Sequence, residues 1–278
     1  EERLKDGSLL QPTKIEVQQS LDNVETYITG IESLLKKYQI ADVDEAMKAL
    51  AGQMKDYAAW TRKDVLPKAR TDARLPAPLY AYQLKQVGID IDPKLLMQRA
   101  QLEFMETRSA MQQLAPLVVK DKGLKVADPS DPVAVIRALK ADKIADDQLE
   151  GHYRRVIDAI DPLIREHAIV DVPKRAMQMR LGSAAESAAS PAPHFLPAPL
   201  VNNTGQQGTF VLPLGNPAAG PGAQYDDFNF GAAAWTLSAH EGRPGHELQF
   251  TAMVERGVSL ARTMFAFNSV NVEGWALY

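Results

Sequence analysis

Along the first half of the chain, apolar positions recur at steps of three and four residues. Ile15, Val17, Leu21, Val24, Ile28, Ile31, Leu34 and Leu35 follow this spacing, which places most of them on one stripe of a helix. The pattern returns from Asp42 to Thr61, with Asp42 or Asp44 placed to cap its start. A third long stretch runs from Lys94 to Val119 and ends at Lys-Asp-Lys-Gly. Residues 131–141, opened by Ser130-Asp131-Pro132, and residues 146–168 complete a helical region from Pro12 to about Ile169. No fixed-period repeat is present, which argues against a solenoid.

The pattern changes near Ile169. Ala168–Pro173 is short and β-branched and predicts a strand, and the small residues of 181–193 predict a linker. His194–Val201 and Gly208–Leu214 predict two strands of a hairpin joined by the Asn- and Gly-containing segment 202–207. Pro197, Pro199 and Pro213 would interrupt a central ladder, so both strands are expected at an edge. Beyond the Gly/Pro-rich stretch 215–223, helix is expected to resume at about Phe230. Asn271–Tyr278 reads as the start of a further helix, and the sequence as a truncated fragment. The expected class is mainly α with a small hairpin or edge-strand element. Residues 1–168 would form one wall of a cleft, and 169–278 would carry the hairpin and the chemistry.

Composition narrows the function. A chain of 278 residues forms one large or two modest domains. The net charge of −4, with no Lys/Arg cluster, argues against nucleic acid as a partner. No apolar run approaches the roughly 18–20 residues that span a bilayer. The opening Glu-Glu-Arg-Leu-Lys is not a signal peptide, although a removed signal leaves no trace and export stays open. Cysteine is absent, so a metal would have to be held by His, Asp or Glu. Only five histidines exist: His152, His167, His194, His240 and His246.

Two of the five flank one short segment, His240-Glu241-Gly242-Arg243-Pro244-Gly245-His246. In the usual zinc-peptidase helix the two His ligands lie four residues apart and face the same way. Here the step is six residues, which on an unbroken helix leaves the imidazoles roughly 120° apart. Gly242, Pro244 and Gly245 are residues that deform a helix. A two-residue bulge or a kink there would return His246 to the face of His240. The bland alternative makes Pro244-Gly245 a helix stop and His246 a cap. Glu273, 27 residues beyond His246, is the candidate third ligand, with Gly274 allowing a close backbone approach. Three protein ligands leave zinc a position for water, whose pKa would fall to about 7. Glu241 would take the proton.

The pairing of His240-Glu-Gly-Arg-Pro-Gly-His-Glu-Leu-Gln249 with Val272-Glu-Gly-Trp-Ala-Leu-Tyr278 resembles the bacterial DUF885 family. The likeness extends more loosely to the Pro-rich hairpin region Pro191–Leu214. It implies a zincin-like, mostly helical architecture and a zinc site of the gluzincin style. By this resemblance His240, His246 and Glu273 are the metal ligands, Glu241 is the catalytic base, and Gln249 supports a ligand from behind. Members run to about twice this length, and many look exported or lipid-anchored, which implies a periplasmic or cell-envelope location.

The remaining candidates are expectations of the residues themselves. Gly208, Thr209 and Phe210 could form an edge strand receiving an extended peptide substrate, or only a surface hairpin. His194 is expected in solvent, as are His152 and His167 on their charged helix. Tyr225 and Tyr278 could donate to an oxyanion. Arg243 is expected in solvent at the kink, or greeting a substrate carboxylate. The leading function is a zinc-dependent metallopeptidase. A non-catalytic cell-envelope binding protein and a metal-dependent amidase or esterase are the alternatives. Because Glu273 lies close to the last residue, its helix is expected to fray and the site to hold no metal. Oligomeric state has no signature in the sequence.

Overall fold

Helix α1 (Lys14–Asp22) starts where the Thr13 side chain accepts from the Glu16 N–H while the Glu16 carboxylate accepts from the Thr13 N–H. Two otherwise orphaned donors are satisfied at once. The computed structural model describes residues 2–214 and 227–278. Residues 215–226, which include the Gly/Pro-rich stretch 215–223 and Tyr225, lie outside the described residues.

The chain divides into two compact units. The first comprises Glu1–Leu75, Leu181–Ala192 and Pro213–Tyr225. It holds α1, α2 (Val24–Lys37) and α3 (Asp44–Trp60), which runs on into a π turn at Thr61–Val65. Val17, Leu21 and Ala58 form its core, with Val24, Val65, Leu66 and Ala69 packed around them. The segment expected as a linker instead contains a short helix, α8 (Ala184–Ala189), which Ser183 and Glu186 close with a second capping box. Small residues here serve close packing. A Cβ added at Gly30 of α2 would lie 2.4 Å from the Ala185 Cβ.

The second unit comprises Pro76–Arg180, Pro193–Leu212 and Asp226–Tyr278. Before α8 in the chain it contributes α4 (Ala77–Gln86), α5 (Pro93–Lys122), α6 (Pro132–Lys140) and α7 (Asp146–Glu166). After α8 come α9 (Gly231–Leu237), α10 (His246–Arg256), α11 (Leu260–Phe265) and α12 (Ser269–Leu277). On α7 the buried residues Leu149, Tyr153, Val156, Ile160 and Ile164 recur at steps of three and four. Tyr153 donates from its hydroxyl to the Phe228 carbonyl at 2.7 Å and sets its ring edge-on to Phe210.

Among the described residues a three-stranded sheet stands beside these helices, in the order β1 (Gln178–Leu181), β3 (Thr209–Leu212), β2 (His194–Leu196). The hairpin forms as expected, with β2 antiparallel to β3 and Phe195 opposite Phe210. Two strand expectations are corrected. Ala168–Pro173 is not a strand: Ala168 adopts φ +49° at the end of α7, and the Pro173 carbonyl accepts from Arg165 Nη2 at 2.7 Å. The first strand comes later, at Gln178. And β3 is the central strand, not an edge. Its run Phe210-Val211-Leu212 is buried on both faces, the pattern of an interior strand. The class is mainly α with a small strand element. Among the described residues no helix is long and apolar enough to cross a membrane.

Candidate metal centre

The six-residue step between the histidines is bridged by a bulge and a break together. Helix α9 runs into a π turn at Ser238–Gly242, which carries His240 and Glu241. The chain then leaves helical geometry at Arg243 (φ −117°, ψ 132°) and re-enters it at His246, the first residue of α10. Gly245 makes this possible. Its N–H donates to the Ala239 carbonyl at 2.9 Å, and an added Cβ would lie 1.8 Å from the His240 carbonyl oxygen. Only glycine tolerates that approach. The two imidazoles end 4.8 Å apart between centroids, nearly perpendicular. The ligating atoms of His240, Glu241 and His246 all lie within 4.8 Å of one another.

Arg243 corrects an expectation. It is among the most buried side chains of the molecule, 1% exposed, and is not available to a substrate. Its Nε donates to Glu247 Oε2 at 2.6 Å and its Nη1 to Asp161 Oδ2 at 2.7 Å. Arg175 completes the network, with Nη1 3.0 Å from Glu247 Oε1 and its backbone carbonyl accepting from Arg243 Nη2 at 3.0 Å. Two cations and two carboxylates thus neutralise one another beneath the break. Burial opposes the charge on Arg243, but Glu247 and Asp161 outweigh it and hold the guanidinium more firmly protonated than usual.

The third candidate ligand arrives on α12. Asn268 caps the start of this helix, its side chain accepting from the N–H groups of Val270 and Asn271, and the helix runs to Leu277. Glu273 Oε2 lies 3.5 Å from His240 Nε2 and 3.5 Å from His246 Nε2. Ligand atoms around a tetrahedral zinc, with arms of about 2.0–2.1 Å, sit about 3.3–3.5 Å apart. Two nitrogens and one carboxylate oxygen are also the ligand types that zinc accepts. Gly274 plays no close-approach role, since nothing lies within 4 Å of the Cβ it would carry. The docking residue is its neighbour. Trp275 Nε1 donates to the Pro244 carbonyl at 2.9 Å and lies 3.2 Å from that of Gly245. The acceptors freed by the break are met by the indole, and this registers Glu273 against both histidines.

Electrostatics separates the roles further. Burial, with a contribution from the Glu273 charge, pushes the Glu241 carboxyl up to about 7, while a hydrogen bond from the Phe195 backbone N–H pulls it back. Burial, with an electrostatic contribution from the neighbouring His240, lowers the pKa of His246; Glu273 and Gln249 oppose that shift. His246 Nδ1 and Gln249 Oε1 are both buried, near enough for Gln249 to act on the imidazole but short of full hydrogen-bond geometry. They are complementary: an Nδ1–H directed at Gln249 leaves Nε2 unprotonated on the Glu273 side.

The other predicted residues lie elsewhere. Phe210 packs in the core and Thr209 Oγ1 donates to Gln178 Oε1 on the neighbouring strand at 3.4 Å, so neither presents a free edge. Gly208 sits against the Phe195 ring. His194 is a half-buried strand residue rather than a solvent-facing one. His152 is half-buried too, its Nε2 enclosed, with Gly231 at the start of α9 beside it. His167 is exposed as expected. Tyr278 turns fully to solvent and offers no donor to the site. Asp161, Phe195 and Trp275 were not foreseen. Only Trp275 carried a signal, through its place in Glu-Gly-Trp.

No curated protein matches the chain. The solved structures it resembles include a "putative lipoprotein of unknown function" from Shewanella oneidensis, at 22% identity and a TM-score of 0.60. That match covers 98% of this chain and 51% of the other. A second, described as a putative lipoprotein from Colwellia psychrerythraea, shows 16% identity and a TM-score of 0.64 over 96% of this chain and 48% of the other. The fold is shared, and the chain spans about half the length of these structures. The family model described as "Bacterial protein of unknown function (DUF885)" matches residues 1–278, and the chain belongs to that family.

Proposed function

We propose that this protein is a zinc-dependent hydrolase acting on peptide bonds. The observation that carries the reading is a single Glu273 oxygen 3.5 Å from the Nε2 atoms of both His240 and His246. These three side chains would hold the metal. Zinc, when bound, polarises a carbonyl and lowers the pKa of water toward about 7.

The protein's own residues do the rest. Glu241 is buried beside the histidines and anchored by the Phe195 N–H. Its carboxylate accepts a proton from the attacking water as the water oxygen adds to the peptide carbonyl carbon. It returns that proton to the leaving nitrogen as the C–N bond breaks. The buried Arg243 and Glu247, with the half-exposed Asp161, hold the break in place, so the two rings need not be gathered at each turnover. A cell-envelope location is supported by the description of both similar structures as lipoproteins.

Zinc content and the hydrolysis of peptides, N-acyl amides and esters test the reading. One zinc per chain is expected, with peptides cleaved fastest. Glu241→Gln should keep the metal and lose about 10²–10⁴-fold in kcat. Undiminished hydrolysis in that variant, or no zinc in the wild type, would sink the proposal. Faster turnover of amides or esters would change the substrate class.

A further inference from the structure

Beside α10 lies a cavity of about 220 Å³. Sites that enclose a whole small ligand run to about 300–1,000 Å³, so this one suits a single side chain. Phe195, Ala198, Phe250 and Val254 form its apolar wall, and Arg175 and Gln207 stand at its polar end. The Phe195 and Phe250 rings are 5.9 Å apart and tilted by 32°, an arrangement that a third ring can join.

Two observations tie the cavity to the candidate centre. His246, Phe250 and Val254 are spaced by four residues on α10, so they share one face. Phe250 follows His246 by about 6 Å along the helix axis, which is within reach of one side chain of an extended peptide. Phe195 provides the second link. Its backbone N–H bonds the Glu241 carboxylate while its ring lines the cavity.

The polar end is not a receptor for an acid. Arg175 already donates to Thr251 Oγ1 at 2.6 Å and Gln207 Oε1 at 3.1 Å. It also pairs with Glu247 at 3.0 Å and Glu255 at 3.4 Å. A substrate carboxylate would meet two carboxylates as well as the guanidinium. We infer that the cavity is a specificity pocket for a bulky apolar side chain, aromatic by preference, flanking the bond to be cleaved. This rests on the peptide-hydrolase reading and adds the class of residue it selects.

The probes are N-acetyl-Gly-Gly-Xaa-Gly-amide peptides with Phe, Ala or Asp at Xaa. Binding is measured calorimetrically to zinc-loaded Glu241→Gln protein, which does not consume them. Phe is expected to bind at least about tenfold tighter than Ala, with Asp weakest. Val254→Trp, which fills the cavity from an already half-buried helix position, should abolish that preference. Ala198→Met is the second filling variant, and circular dichroism checks that both fold. Equal affinity for Phe and Ala, or a preference that survives both filled variants, overturns the pocket. Hydrolysis without side-chain preference overturns the pocket and leaves the hydrolase standing. A Phe preference in binding with no hydrolysis by wild type does the reverse.

Discussion

Helix α7 and the segment from Ser238 to Thr251 are buried to a similar depth by opposite means. Helix α7 hides Leu149, Tyr153, Val156, Ile160 and Ile164. The His segment hides Ser238, Glu241, Arg243, His246, Glu247 and Thr251, with Leu248 its one large buried apolar residue. The first is held by apolar contact, which is non-directional and tolerant. The second is held by charge pairs and hydrogen bonds, which are directional and costly to leave unmade. The two meet at Asp161, the α7 carboxylate that pairs with Arg243. A site needing three side chains at set distances draws on the directional kind of interaction, and the regular helix beside it supplies the scaffold.

Breaking each region in turn sharpens the contrast. Arg243→Met removes the buried cation between Glu247, which keeps Arg175 and Thr251, and the half-exposed Asp161, and should cost about 3 kcal/mol in denaturant unfolding. Zinc affinity should fall with it, because the break between the histidines loses its anchor. Ile160→Ala leaves a cavity under α7 and should cost about 2–4 kcal/mol. In the folded fraction its zinc dissociation constant should stay at the wild-type value; a large change there would show that the two regions are not separable. Trp275→Phe reverses the pattern. It should cost only about 1 kcal/mol of stability but weaken zinc by about tenfold or more, measured by chelator competition.

The smallest effect is one of pH. In metal-free protein Glu241 titrates near 7 instead of 4.5, so the folded state binds more protons than the unfolded state between these values. Its contribution to stability therefore declines as pH rises through that window. His246, with its pKa lowered, acts in the opposite direction below its ordinary value. The difference between wild type and Glu241→Gln isolates the glutamate. That difference should move against the wild type as pH is raised from 4.5 to 7 and stay level above; a flat difference would reject the burial of this carboxyl.

Much of the helical framework was legible in the spacing of apolar residues. Residues 146–168 were read as one helix and α7 spans Asp146–Glu166. Asn271–Tyr278 was read as a helix start and α12 spans Ser269–Leu277. Errors gathered where local signals compete with tertiary ones. Ala168–Pro173 has strand-like composition, but its backbone bends at Ala168 and its Pro173 carbonyl accepts from arginine side chains. Ser183 and Glu186 had the spacing of a capping box inside a stretch whose small residues read as a linker. The prolines near β3 pointed to an edge, yet they fall outside Thr209–Leu212 and leave its ladder intact.

The sequence by itself determined which residues could bind a metal. Without cysteine, and with two histidines around a glutamate in a Gly/Pro-broken segment, the donor types and their flexible spacing follow from residue identity alone. Tertiary structure decided the distances. Local spacing states how far apart side chains are along the chain, whereas a coordination sphere needs their separation in space. That separation is set by the Gly245 backbone contact, by Arg243 on Glu247 and Asp161, and by the Trp275 indole on the Pro244 carbonyl. Two of these three join residues more than twenty-five positions apart, and such pairings exist only once the chain has folded.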